Sequence, residues 1–217
     1  MSENTSTGNY IAQAWLVILL ALVYGGALAG VHVGVSGRIL ENKRNETYDQ
    51  IPQLVPGAVE DQTREHDVEG INGRTSVVYE ARDEDCVRIG WILLGRGQGF
   101  ADRIDLLVGL NAQLTTIRGM FVLDQRETPG LGNYIMDAKR FGNQFVGKRA
   151  DSPLVVVKSD PDPECEIQAL TGATISSESV SDIINDTVAN FRHPILTQLA
   201  TARVVPVDNV KDLSVDE

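Results

Sequence analysis

Charge is missing where a soluble chain would ordinarily carry it: from Asn4 to Gly37 there is no Asp, Glu, Lys or Arg. Beyond Gly37 lie all 19 basic residues and 29 of the 30 acidic ones, a net of −10. That acidic balance argues against a phosphate-tracking nucleic-acid surface, which relies on clustered Lys and Arg. Cysteine is almost absent too. Cys86 and Cys165 form no Cys-x-x-Cys pair, no haem-attachment motif and no His/Cys cluster, so iron–sulfur, c-type haem and structural zinc sites are excluded. The two cysteines leave open one disulfide or two buried thiols. A Ser/His/Asp arrangement finds no support, since His66 and His193 fall in polar, helix-edge or linker contexts and His32 in the charge-free stretch. No internal repeat or low-complexity segment occurs. What remains, 42% hydrophobic and 23% charged residues in 217, is ordinary globular composition and not that of a disordered, collagen-like or multi-span membrane chain.

The charge-free stretch contains Ala14–Val35, 22 residues, close to the ~20 that cross a hydrocarbon core at ~1.5 Å each. The reading is an N-terminal tail over 1–11 and one transmembrane helix over 12–35, with Tyr10 and Trp15 near one interface and Arg38, Lys43 and Arg44 beyond the other. A cleaved signal peptide fits less well, because no basic segment precedes the run and the run is too long. A buried core helix is a further rival. Gly26-x-x-x-Gly30 offers either a small-residue face for another helix or a Gly-rich face to lipid. The basic residues after the helix, with none before it, by themselves place the following domain on the cytoplasmic side.

Residues 36–70 read as a linker, charged and helix-compatible to Tyr48 and then broken by Pro52 and Pro56-Gly57. From Ser76 onward, β-branched and apolar runs separated by Gly, Asn or Asp predict strands at 76–81, 86–94, 104–110, 116–123 and 154–158. Helical spacing of apolar residues predicts helices at Asn133–Gln144 and Ser177–Arg192. Residues 71–203 thus form one α+β domain with a mixed or antiparallel sheet flanked by helices, followed by an acidic tail over 204–217.

Two segments carry chemistry. In Thr171-Gly172-Ala173-Thr174 the chain turns into the last helix, with Thr174 or a following serine as N-cap. Free N–H groups and the positive helix end converge there, behind a Gly-Ala approach open to a phosphate. An ordinary capped helix is the plainer alternative. In Glu127-Thr128-Pro129-Gly130-Leu131-Gly132, Pro-Gly suits the centre of a type II turn. The rigid loop presents the Glu127 carboxylate, the Thr128 hydroxyl and the Leu131 side chain to one place, as a flat heterocycle with polar edges requires. Read as structure only, it is a well-formed turn.

Together these segments resemble the FMN-binding domain found in the G subunit of the Rnf ferredoxin:NAD oxidoreductase complex and in the C subunit of the sodium-pumping NADH:quinone reductase. Gly95-Arg-Gly97-Gln-Gly99-Phe100 is similar to the family's Gly-rich turn, Glu127–Gly132 matches its loop in full, and Thr171–Thr174 matches its tetrad. With the N-terminal helix, the likeness spans residues 12 to about 193, and the short chain favours the Rnf protein. The resemblance implies FMN joined by a phosphoester to Thr174 by a flavin transferase that uses FAD. It implies that Thr171, Gly172 and Ala173 hold the phosphate end and that Glu127, Thr128, Gly130 and Leu131 border the ring beside Gly97 and Gly99. It further implies an electron-relay protein working with other subunits in the cytoplasmic membrane, its flavin domain on the outer side, against the charge count. One departure stands out: the Asp that the family carries three residues before Thr171 is Gln168. The rival readings are the C subunit of the quinone reductase, a flavin-bearing membrane regulator or reductase, and an anchored scaffold without flavin.

Overall fold

The computed structural model describes residues 7–199, so residues 1–6, the last four residues of the domain expected over 71–203 and the acidic tail over 204–217 lie outside the described residues. The chain divides into two compact units, with the boundary between Glu46 and Thr47. The first is made of helix α1, which runs Thr7–Leu54 and so ends inside the second unit. Within α1, Ala14–Arg38 is a 25-residue segment of mean hydropathy 2.2, its apolar side chains exposed. At ~1.5 Å per residue it is about 37 Å long, enough to cross a bilayer core of ~30 Å.

The second unit is built on an antiparallel sheet whose spatial order is its chain order: β1 (Arg64–Glu69), β2 (Thr75–Arg82), β3 (Arg88–Gln98), β4 (Arg103–Asn111) and β5 (Ile117–Asp124). A short parallel pair follows, β6 (Val155–Val157) with β7 (Glu166–Gln168), and the long helix α2 (Thr174–Gln198) closes the fold. Both sheet faces are covered. On one lie Val180, Ile183, Ile184, Val188 and Phe191 of α2 with Ile135, Phe141 and Phe145; on the other, Ile51, Leu54, Val55 and Ala58 cover Tyr79, Ala81, Ile92 and Leu107. This two-sided burial is why Ile104–Leu110 is one buried run, where a half-solvated strand would alternate.

The segment expected as a linker is structured. Pro52 does not end α1; the helix runs to Leu54, and Val55 still donates to Ile51 O at 2.9 Å. Pro56 and Gly57 (φ +93°) make the break. The last turns of α1 lie on a floor of glycines. An added Cβ at Gly109 would stand 2.3 Å from the Leu54 carbonyl oxygen, at its cross-strand partner Gly119 3.0 Å from Leu54 Cα, and at Gly90 2.7 Å from Val55 Cγ1. β1 has no apolar signature in the sequence because it is an edge strand of charged residues with only Val68 buried. His66, expected in a linker or at a helix edge, is on β1 and bonds buried Glu80 at 2.9 Å.

The helix expected at Asn133–Gln144 is instead two short 3-10 turns, Gly132–Met136 and Gly142–Phe145. Between them Asp137 Oδ1 accepts the Lys139 and Arg140 N–H groups at 2.9 and 3.1 Å, taking the donors a continuous helix would use. The apolar spacing was genuine: Phe141 and Phe145 pack edge to face in the core. Cys86 and Cys165 are both free, and neither is buried.

Candidate functional site

Two tight turns face each other at the start of α2. In the first, Leu131 N–H donates to Thr128 O at 3.2 Å with Gly130 at φ +79°, the type II geometry expected of Pro-Gly. In the second, Ala173 N–H donates to Leu170 O at 3.0 Å with Gly172 at φ +79°. Glycine is required twice over at 172, since a Cβ there would also press on Leu131 Cδ2 at 3.0 Å.

Helix α2 starts at Thr174, and the N-cap position is Ala173, which has no side chain to cap with; the expected threonine or serine cap is absent. Ser177 supplies the link from inside the helix. Its hydroxyl accepts the Leu170 N–H at 3.0 Å and donates to Ala173 O at 2.9 Å, pinning the turn to the helix. The first intrahelical bond runs from Ser177 N–H to Ala173 O, so the N–H groups of Thr174, Ile175 and Ser176 point out of the helix end without an intrahelical acceptor.

Glu127 joins the three motifs. It is 4% exposed. Oε2 accepts the Ser176 hydroxyl at 2.6 Å and Oε1 accepts the Ala101 N–H at 3.0 Å. An added Cβ would reach Glu127 Oε1 at 2.4 Å from Gly99 and Ser176 Oγ at 2.7 Å from Gly132, so both glycines make room for this carboxylate and its partner.

A cavity of about 390 Å³ opens between the turns, lined by Phe100, Glu127, Thr128, Leu131, Gly132, Gly172, Ala173, Thr174, Ile175 and Ser176. That volume is within the ~300–1,000 Å³ of ligand sites. The structure thus gathers Glu127, Thr128, Leu131, Gly172, Ala173 and Thr174 around one cavity. Thr171 and Gly130 are exposed beside the cavity, and Gly99 supports Glu127 without lining it. Gly97 is elsewhere: it is in β3, where a Cβ would strike Ile183 at 2.4 Å, so it serves strand–helix packing. Most of the expected Gly-rich turn is strand, and only Gly99–Asp102 turns, closed by a 2.8 Å bond from Gly99 N–H to Asp102 O. Phe100, Ile175 and Ser176 were not singled out as site residues, although an aromatic beside a glycine turn and the hydroxyl two places after Thr174 were signals. Gln168, in β7, does not line the cavity; its N–H donates to Gln144 Oε1 at 2.8 Å.

The walls suit FMN. Three free N–H groups and the positive helix end would hold an anion, and exposed Phe100, Leu131 and Ile175 offer apolar surface for a flat ring. A larger groove of about 590 Å³ between α2 and residues 149–154 contains none of the motif residues.

Comparison with known proteins agrees with this geometry. The FMN-binding domain family matches residues 99–189. The G subunit of the Na⁺-translocating ferredoxin:NAD⁺ oxidoreductase complex of Acetobacterium woodii is 37% identical over 103 residues, 46% of this chain and 47% of that protein. The G subunit of an ion-translocating oxidoreductase complex of Methanosarcina acetivorans is 22% identical over 173 residues, 79% of this chain and 89% of that protein. The C subunit of the Na⁺-translocating NADH-quinone reductase of Vibrio alginolyticus is 32% identical over 127 residues, 54% and 49% of the two chains. At the higher identities the chain therefore spans about half the relatives' length. The crystal structure of the corresponding quinone-reductase protein from Parabacteroides distasonis shares the fold with a TM-score of 0.55 at 20% identity, covering 71% of this chain and 94% of that one. The Shewanella oneidensis NqrC structure does so at 0.52 and 21%, covering 66% and 72%.

Proposed function

We propose, from the premise that this chain belongs to the family shared by the Rnf G subunit and the C subunit of the sodium-translocating NADH-quinone reductase, that it is a membrane-anchored electron carrier bearing FMN covalently on Thr174. The supporting observation is which hydroxyls at the helix end are spent. Ser176 donates to Glu127, Ser177 donates to Ala173 O, and both are buried, at 3% and 0% exposure. Thr174 lines the cavity, is partly exposed, and no described hydrogen bond uses its hydroxyl. In the attachment, a flavin transferase joins Thr174 Oγ1 to the FMN phosphorus of FAD; the anhydride bond breaks, AMP leaves and the hydroxyl proton is released.

FMN, when bound, takes up and gives back electrons. The chain's own part is to hold and surround it. The N–H groups of residues 174–176 would receive the phosphate, and Phe100, Leu131 and Ile175 would shield the ring from water. The covalent tether prevents loss to solution. The helix over Ala14–Arg38 has no charge before its terminal Arg38 and so offers no ion path. Ion translocation then belongs to the other subunits of an Rnf-type membrane complex, with the flavin domain on the outer side of the cytoplasmic membrane.

Intact mass of the chain from cells that possess the transferase tests the reading. The expected increase is one FMN less one water, with flavin fluorescence surviving denaturing electrophoresis. Thr174→Ala is expected to abolish both, while Ser176→Ala and Ser177→Ala retain them. An unmodified parent chain would overturn the carrier reading in favour of an anchored scaffold.

A further inference from the structure

Glu127 spends its charge on nothing structural. Its carboxylate is buried, yet the partners of its two oxygens are a neutral backbone N–H and a neutral hydroxyl. Among the described ion pairs, Glu80, Asp105, Asp102, Asp137, Asp151 and Glu164 have cationic partners; Glu127 has none. A buried charge without a counter-ion is costly. A glutamine could accept the Ala101 N–H and meet the Ser176 hydroxyl with no such cost, so neither hydrogen bond requires a charge. The charge is compensated in part by the N-terminal end of α2, onto whose first turn it is bonded. It also forms part of the cavity wall.

We propose that Glu127 sets the reduction potential of the group held in this cavity, and that Ser176 is the positioning residue that fixes its charge against the cavity. This rests on the reading of the cavity as a flavin site. The physical argument is Coulombic: a fixed negative charge disfavours electrons arriving nearby and so lowers the potential. Glu127 forms part of the wall of the cavity of about 390 Å³ and is itself buried, so its charge is screened less by water and salt than a surface charge would be. The Ser176 and Ala101 bonds stop the carboxylate from rotating out to solvent, and the glycines at 99 and 132 leave the space that lets it sit there.

The test is spectroelectrochemical titration of the flavin in the full-length, flavin-loaded chain, comparing the parent with Glu127→Gln, Glu127→Asp and Ser176→Ala, beside their melting temperatures. Glu127→Gln is expected to shift the midpoint potential in the positive direction. Glu127→Asp, which keeps the charge but shortens the side chain, is expected to lower the melting temperature with a smaller potential shift. Ser176→Ala frees the carboxylate and is expected to fall between parent and Glu127→Gln in potential, with Ser176→Thr restoring the parent value. Equal potentials in the parent and Glu127→Gln would overturn the proposal, as would equal shifts in Glu127→Gln and Glu127→Asp. Should Glu127→Gln fail to load, Ser176→Ala decides: an unchanged potential there overturns the proposal. A parent chain that carries no flavin at all defeats the prior reading of the site instead.

Discussion

Gly109→Ala is expected to destabilise the sheet domain by about 3 kcal/mol, seen as a fall of about 10 °C in the melting temperature of a unit this size. The new methyl would stand 2.3 Å from the Leu54 carbonyl oxygen, and that neighbour is backbone, not a side chain that can swing aside. Relief requires the end of α1 to lift from the sheet. That lift would uncover Ile51, Leu54 and Val55 together with Ile92 and Leu107, all at most 2% exposed. Losing part of this apolar contact at ~25 cal/mol per Å² accounts for the size of the effect. Gly147→Ala is the control. It has φ +85° and nothing within 4 Å of its added Cβ, so only backbone strain of about 1 kcal/mol is expected. Equal melting temperatures for the parent and Gly109→Ala would show that the helix end is not seated on the glycine floor.

That floor also shows where reading the sequence stopped. The strands from 75 to 124 were legible because β-branched and apolar residues cluster between turn formers, and two-sided burial makes such runs longer and plainer. The helix after the Thr-Gly-Ala-Thr tetrad was legible for its 3.6-residue spacing. Residues 47–69 were not. Pro52 signals a break that tertiary packing overrides, and the glycines that receive Leu54 and Val55 lie far along the chain, in strands where each looks like a local weakness. The short turns at 132–145 carry a helix-like apolar pattern, and only the Asp137 side chain, by bonding two nearby N–H groups, decides against a helix.

The site divides in the same way. Its turns were legible because Pro-Gly and Thr-Gly-Ala have few conformations. In the sequence Glu127 reads as a ligand edge alone; its bond with Ser176 joins residues 49 apart and leaves no local trace. The Gly-x-Gly-x-Gly run was read as one device, whereas Gly97 admits Ile183 and Gly99 admits the Glu127 carboxylate. Spacing alone does not distinguish a glycine that serves a ligand from one that serves a neighbouring side chain.

Glu80→Gln is expected to cost about 3 kcal/mol at neutral pH, measured by urea unfolding with the emission of buried Trp91 as the probe. Glu80 is 4% exposed on β2 and is held by three partners: His66 Nε2 at 2.9 Å, Arg82 Nη2 at 2.9 Å and Arg88 Nε at 3.0 Å. The amide would leave two guanidinium groups sharing a buried site without their anion, and Arg88 is also stacked over Trp91 at 5.0 Å. Burial by itself pushes the Glu80 carboxyl up, but the His66 hydrogen bond and the Arg82 and Arg88 charges outweigh it and hold the group below its ordinary value of 4.5. A carboxyl lowered on folding contributes stability that is fully present above the unfolded value and is lost as pH falls through the folded one. The parent's advantage over Glu80→Gln should therefore be constant at neutral pH, begin to shrink below about 4.5 and vanish once Glu80 is protonated in the folded state. A difference that persists unchanged to pH values well below that range would mean the glutamine is destabilising through its shape and not through the missing charge.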